Sequence, residues 1–296
     1  MMLKILFSII LAFPLLLNAK DYPIVFHRPS KIGDRHHEIA KITDENRMTI
    51  NVGKNPMHTE KDKTILNIQT DIEILEIKKS AGSKLKLLIT AIECLQNDKL
   101  LEVVPVGTVL IAERNNEVTQ FTFPDGNKPP DEVQKILRMA FNISEDPASD
   151  DRAFGTKESK NIGDTWPVNS TFAAEDLKKI GMTIYPSDIS GRVKLETLTK
   201  EQGNECLKIS VKLDIRNVQN LPLPPYMKPT KTVFSAAMSG LFPTDLTKEI
   251  QQSSEEYDFE LLAYGKTGPK GEEQEMVMMG RMLHRAESSS TPLPKL

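Results

Sequence analysis

Leu207-Lys208-Ile209-Ser210-Val211-Lys212-Leu213-Asp214-Ile215-Arg216 alternates apolar and polar residues without a break. Alternation of period two marks a β-strand with one face in a core and the other in water, and antiparallel sheets are the ones that tolerate a wet face. The same pattern recurs at Leu66-Ile68-Thr70-Ile72-Ile74, at Leu85-Leu87-Ile89-Ala91 and at Tyr257-Phe259-Leu261-Ala263. Between the runs stand turn-forming clusters: Ser80-Ala81-Gly82-Ser83, Gln96-Asn97-Asp98, Arg114-Asn115-Asn116-Glu117, Gln202-Gly203-Asn204 and the loop from Gly265 to Gly271. Connections this short join antiparallel hairpins, because a parallel pair needs a crossover of a dozen residues or more. The pattern predicts an α+β protein that is predominantly antiparallel β.

Two helices interrupt the strands. Pro129-Pro130-Asp131 opens the first, expected over 131–141, which places Val133, Ile136, Leu137, Ala140 and Phe141 on one stripe able to cap a sheet. The second is expected from Phe172 to Ile180, with Ser170 or Thr171 as its cap and Gly181 as its stop. From Ser144 to Lys160 the chain is rich in Asp, Glu, Ser and Lys, so 146–160 reads as a linker between an N-terminal half, 20–145, and a C-terminal half, 161–286. The last residues, 287–296, read as a disordered tail. Ile32-Gly33-Asp34 is matched by Ile162-Gly163-Asp164, and the hairpin from Leu75 to Ile89 by that from Leu195 to Val211. These matches fit two similar curved-sheet halves, each with a short helix, although hairpins recur in any antiparallel protein.

The beginning of the chain has another logic. Lys4 precedes an apolar run from Ile5 to Leu17, which ends in Asn18-Ala19-Lys20. That order is a secretory signal peptide, expected over 1–19 with the cut after Ala19 and an unusual Leu17 two residues before it. The run is short for a membrane span, which needs about 20 apolar residues, and Pro14 interrupts it. An exported protein, periplasmic or extracellular, is the expectation, with no integral membrane segment once the signal is removed. No cysteine lies near the cut to take a lipid anchor.

Charge narrows the partners. The formal charge is −3, and loss of the signal with Lys4 leaves 37 basic against 41 acidic residues. That balance argues against nucleic acid or an anionic membrane, both of which call for a basic face. Two cysteines, Cys94 and Cys206, are present. In an oxidising compartment they are a candidate disulfide, and each also sits in apolar alternation where it can be a small buried hydrophobe.

Lys160-Asn161-Ile162-Gly163-Asp164-Thr165-Trp166-Pro167-Val168 follows a helix and opens the second β-rich half. In this it resembles exported bacterial proteins of an uncharacterised family, in which a Gly-Asp-x-Trp segment joins two β halves behind a signal peptide. The resemblance implies the architecture and carries no catalytic residues. Gly163, Asp164 and Trp166 are accordingly the candidate seam between the halves, the indole filling the joint or serving as a stacking wall for a sugar or lipid.

Motifs of chemistry are sparse. His36-His37-Glu38 with His27 upstream is the one histidine cluster, and adjacent residues of a strand point to opposite faces, so the pair does not suit one ion; His58 and His284 read as isolated. Gly265-Lys266-Thr267 resembles the end of a phosphate loop but has Glu260 where the first glycine belongs. No GxSxG nucleophile elbow occurs. Met276, Met278, Met279 and Met282 fit either a soft-metal site or core packing, and Leu221-Pro222-Leu223-Pro224-Pro225 fits a stiff loop. No catalytic residue, cofactor or metal site is therefore assigned. The expected function is non-enzymatic: binding or scaffolding through a β surface, with another exported protein or an apolar ligand as partner. One alternative is a carrier of a lipid or other apolar ligand, similar in outline to periplasmic lipoprotein carriers. Another is a hydrolase whose carboxylates meet from separate strands.

Overall fold

The computed structural model describes residues 21–294 except Lys54, Asn116, Glu117, Glu145, Pro147, Ile180, Gly181, Pro222 and 268–273. The expected signal peptide, the Gly181 stop and the tip of the 265–271 loop lie outside the described residues.

Alternating sequence produces long strands. In the N-terminal part these are β1 (Arg35–Val52), β2 (Asn55–Lys78), β3 (Ala81–Gln96), β4 (Lys99–Leu101), β5 (Val109–Asn115) and β6 (Val118–Thr122), followed by helix α1 (Asp131–Ala140). A five-residue helix α2 (Ser149–Ala153), strand β7 (Thr165–Pro167) and helix α3 (Ser170–Lys179) come next. The chain ends in β8 (Ile189–Glu201), β9 (Asn204–Arg216), β10 (Met227–Pro243), β11 (Gln252–Thr267) and β12 (Gln274–Pro292). β2 alone has 24 residues, about 80 Å at the usual rise per residue.

All of these strands join one antiparallel sheet in the order β6-β5-β3-β2-β1-β12-β11-β10-β9-β8-β7, with β4 paired to β3. The chain meanders outward from β1 to one edge, leaves the sheet through α1 and α2, and re-enters at the opposite edge with β7. It then meanders back until β12 pairs with β1 from His36↔Pro292 to Val52↔Met276. The two parts of the sheet are therefore joined through the β1–β12 ladder.

One face of this sheet holds the apolar residues. In β9, Leu207, Ile209, Val211, Leu213 and Ile215 are buried, and Lys208, Lys212, Asp214 and Arg216 are exposed, as the alternation predicts. Two main cores form on that face. One lies under α1 and includes Leu66, Leu87, Ile89, Leu110, Phe121 and Leu137. The other gathers Trp166, Ala173, Val193, Leu195, Ile209 and Val211 with Tyr22, Ile24 and Phe26 from the segment before β1.

Three expectations need correction. The tail is ordered to Pro292: residues 287–292 continue β12, where Ser253 and Ser288 hydroxyls bond at 2.8 Å and Gln202 donates to the Ser290 carbonyl at 3.1 Å. Serine reads as disorder by composition, yet its short side chain suits a narrow polar ladder. The supposed linker contains α2, anchored where the Phe26 and His27 N–H groups donate to Asp151 at 2.5 and 3.2 Å. Part of its acidic composition serves hydrogen bonds to the segment before β1. Helix α3 is capped by Asn169, whose side chain accepts from Phe172 N–H at 3.4 Å, one residue before Ser170.

The Ile-Gly-Asp matches coincide bond for bond. Gly33 and Gly163 have φ of +81° and +94°, a region glycine enters freely. Gly33 N–H donates to Ile74 at 2.9 Å and Gly163 N–H to Leu195 at 2.7 Å; Ile74 and Leu195 in turn donate to the Asp34 and Asp164 carbonyls, each at 3.0 Å. Asp34 and Asp164 carboxylates accept from Lys31 and Asn161 N–H, each at 2.8 Å. A register shift follows in both strands, at Ile74/Glu76 and at Leu195/Thr197.

Candidate binding site

The two helical roofs differ in what they offer the sheet. Helix α1 lays Ile136 and Leu137 into the core, and its buried Gln134 is satisfied by the backbone of Phe121, donating at 2.7 Å and accepting at 3.0 Å. Helix α2 buries Ala153 alone. A small side chain over a broad apolar face leaves space. The result is a pocket of about 260 Å³ between α2 and strands β9 to β11, walled by Phe26, Phe154, Val211, Met238, Phe242 and Ile250.

Two carboxylates border this pocket, Asp150 of α2 and Glu255 of β11. Glu255 belongs to a polar chain across the central strands. His284 bonds Asp44 of β1 through Nδ1 at 2.5 Å and Glu255 Oε1 through Nε2 at 3.3 Å, while the Tyr257 hydroxyl donates to Glu255 Oε2. The rings of Phe234, Tyr257 and His284 stack, with centroids 5.7 and 5.4 Å apart. Bonds to Asp44 and Glu255 outweigh burial and raise the His284 pKa to about 9, so this imidazole is a cation at neutral pH. Burial pushes Glu255 up, but the bonds from His284 and Tyr257 together with the imidazolium charge overcome it, and its pKa is lowered.

Asp150 is different. The residue is exposed on the open side of the pocket, but protein packed around the carboxyl partly desolvates it, and this, reinforced by Asp151, Asp176 and Glu255, raises its pKa to about 6. The neighbouring carboxylates have their own donors: Asp151 the Phe26 and His27 N–H groups, Asp176 the Lys179 ammonium at 2.6 Å, and Asp146 the guanidinium of Arg152. The Asp150 carboxylate has no hydrogen bond or ion pair among the described residues, and only the backbone carbonyl of this residue is engaged, by the Phe154 N–H at 2.7 Å.

A larger recess, about 740 Å³, crosses six strands on the other face, near Lys41, Thr197, Thr199, Lys208, Gln252 and Glu287. It is a polar trough with charges of both signs. A third, about 320 Å³, lies beside the end of α1 with His36, Glu38 and Glu249. Burial raises Glu249, and His36 and Arg28 oppose that rise, so this acid faces cations. Apolar walls around an acid that faces none distinguish the pocket under α2.

The residues singled out from sequence are distributed as follows. Cys94 lies in the core under α1 and Cys206 in β9, both buried and unbridged. Six strand steps separate β3 from β9, against the 7 Å or less that a disulfide spans between Cα atoms. The candidate disulfide is therefore not formed, and burial pushes both thiols up. Trp166 stands on β7 at the outer edge of the sheet, not where the two parts join. Its indole N–H donates to the Phe154 carbonyl at 2.7 Å, so it fixes the end of α2 and with it the roof of the pocket. Gly163 and Asp164 secure the same edge to Leu195.

His37 bonds Asp71 at 2.7 Å and His27 bonds Ser80 at 2.9 Å, and the cluster does not converge. His284, read as isolated, is in fact the most heavily bonded histidine. Spacing along one strand could not reveal it, because its partners come from β1 and β11. Met276 and Met278 are buried beside Met227 and Ala263, whereas Met279 and Met282 are 43% and 41% exposed. Gly265-Lys266-Thr267 lies in β11, with a glycine so close to the Tyr226 carbonyl that a Cβ would stand 2.5 Å away. Asp150 was missed altogether, since its segment looked like linker. Among the described residues no helix is long and apolar enough to cross a membrane.

No family model and no curated protein matches this chain. Among solved structures it is similar to one of lipid-protein interactions in lipovitellin, with 11% identity and a TM-score of 0.34 over 90% of this chain and 26% of that one. It is also similar to OpdQ of Pseudomonas aeruginosa, with 7% identity and a TM-score of 0.21 over 88% of this chain and 98% of that one. The chain thus spans about a quarter of the lipovitellin chain. At these values neither likeness defines a shared fold.

Proposed function

We propose that the chain is an exported, non-enzymatic binding protein that carries a small apolar or amphiphilic ligand in the pocket beneath α2. The observation that carries this reading is the apolar pocket that a five-residue helix leaves over β9 to β11. At about 260 Å³ it lies just below the roughly 300–1,000 Å³ of sites that take drug-sized ligands, which suits a short aliphatic or single-ring body. Export rests on Lys4 and the apolar run from Ile5 to Leu17. The repeated Ile-Gly-Asp turns support reading the two parts as similar halves, of which one kept a closed roof and the other a ligand space. A hydrolase is the weaker reading, because both oxygens of Glu255 are already held by His284 and Tyr257.

The test is calorimetric titration of the mature protein with n-hexanol, a short aliphatic probe of the size that the pocket admits. Saturable binding is expected, lost in Met238→Trp, which fills the pocket, while circular dichroism stays unchanged. No saturable binding, or binding that Met238→Trp leaves intact, overturns the reading.

A further inference from the structure

We infer that the ligand of the pocket under α2 carries an ammonium group, which the Asp150 carboxylate receives while Phe154, Val211, Met238 and Phe242 hold the apolar body. This rests on the pocket being a binding site, and it adds the ligand's charge. The argument is one of unmatched charge. Asp151, Asp176, Asp146 and Glu255 surround this corner, and each is held by backbone N–H groups, Lys179, Arg152, or His284 with Tyr257. Asp150 borders the pocket with no such partner. A carboxylate that stands exposed at the rim of an apolar cavity, beside other anions and with no protein partner of its own, favours a cation that arrives with the ligand. A carboxylate ligand would meet Asp150 and Glu255 together and be repelled. A neutral alcohol would gain only the apolar contacts.

Protonation of Asp150 is also the natural release. With His284 raised to about 9 and Glu255 lowered, neither changes charge between about pH 5 and neutrality, whereas Asp150, at about 6, does. The ammonium is then held at neutral pH and let go in mild acid.

The experiment is calorimetric titration of the mature protein with n-octylamine and with n-octanol, at about pH 7.5 and about pH 5, in wild type and Asp150→Asn. Octylamine is expected to bind about tenfold or more tightly than octanol near pH 7.5, the scale of a partly desolvated charge pair. That preference should disappear near pH 5 and in Asp150→Asn, while octanol binds alike throughout and so reports that the variant is folded. Equal binding of the two probes by wild type, or a preference that survives both acid and Asp150→Asn, overturns the inference and leaves the apolar pocket standing. Binding of neither probe overturns the pocket reading and this inference together.

Discussion

Helix α1 meets the sheet with a continuous apolar stripe, and α2 meets it with one alanine and an unpaired acid. Ten residues laid flat bring Ile136 and Leu137 to the sheet and bond Gln134 to the backbone of Phe121. Five residues bring Ala153, and the remaining space is left as a pocket edged by Asp150. Both roofs cover β-strands of the same alternating pattern. What separates a closed core from a candidate site is therefore the length and side-chain volume of the covering helix, a variable that lies outside the sheet.

Truncating the closed roof should give the largest effect. Leu137 is fully buried, and Leu137→Ala is expected to destabilise by about 2–5 kcal/mol through lost transfer energy and a residual cavity, read by chemical denaturation. Comparable truncation at α2 has little to remove. Gln134→Leu should cost about 2–3 kcal/mol in the same assay, because the Phe121 N–H and carbonyl are both left buried and bare. Were this variant neutral, the satisfied amide would not be what distinguishes the closed roof.

The open end differs most in its response to pH. His284 is raised from 6.5 to about 9, so its stabilising contribution is complete below about 6.5 and is lost as pH rises through 9. Glu255 is lowered, so its contribution is present above the ordinary carboxylate range and lost as acid protonates it. His284→Gln should cost about 1–2 kcal/mol near pH 6 and flatten the fall in stability between pH 6.5 and 9, seen in thermal unfolding across that window. An unchanged slope would remove the histidine from the account.

Asp150 runs opposite to Glu255 and in the same direction as His284. Its pKa is raised from 3.8 to about 6, so a folded-state advantage held below 3.8 is lost as pH rises through 6. Asp150→Asn should then be more stable than wild type near neutrality, by about 1 kcal/mol or less once solvent screening is allowed for. The gain should vanish in acid. A stabilising substitution at an acid that borders a pocket is what a group kept for binding predicts.

Much of the architecture was legible in the sequence, because alternation states directly which face of a strand is buried; Leu207 to Arg216 behaves residue by residue as its pattern implies. The stripe that defines α1 was legible for the same reason. Three things were not. Strand order depends on which edges meet, so nothing in the sequence placed β12 beside β1 or left Trp166 on an outer strand. Helix α2 is too short to show a period, and its Asp151 is bonded to backbone groups more than a hundred positions away. The His284 cluster draws Asp44 and Glu255 from strands distant in sequence. The site was invisible because its parts are assembled by topology.

The most direct test of the pocket is a heteronuclear NMR titration of labelled protein spanning residues 20–296 with n-octanol. Saturable shifts centred on Phe154, Val211, Met238 and Phe242, with the α1 residues Ile136 and Leu137 unmoved, are the predicted result. Shifts concentrated under α1, or spread over the sheet without saturation, would contradict the assignment of the open roof as a binding site.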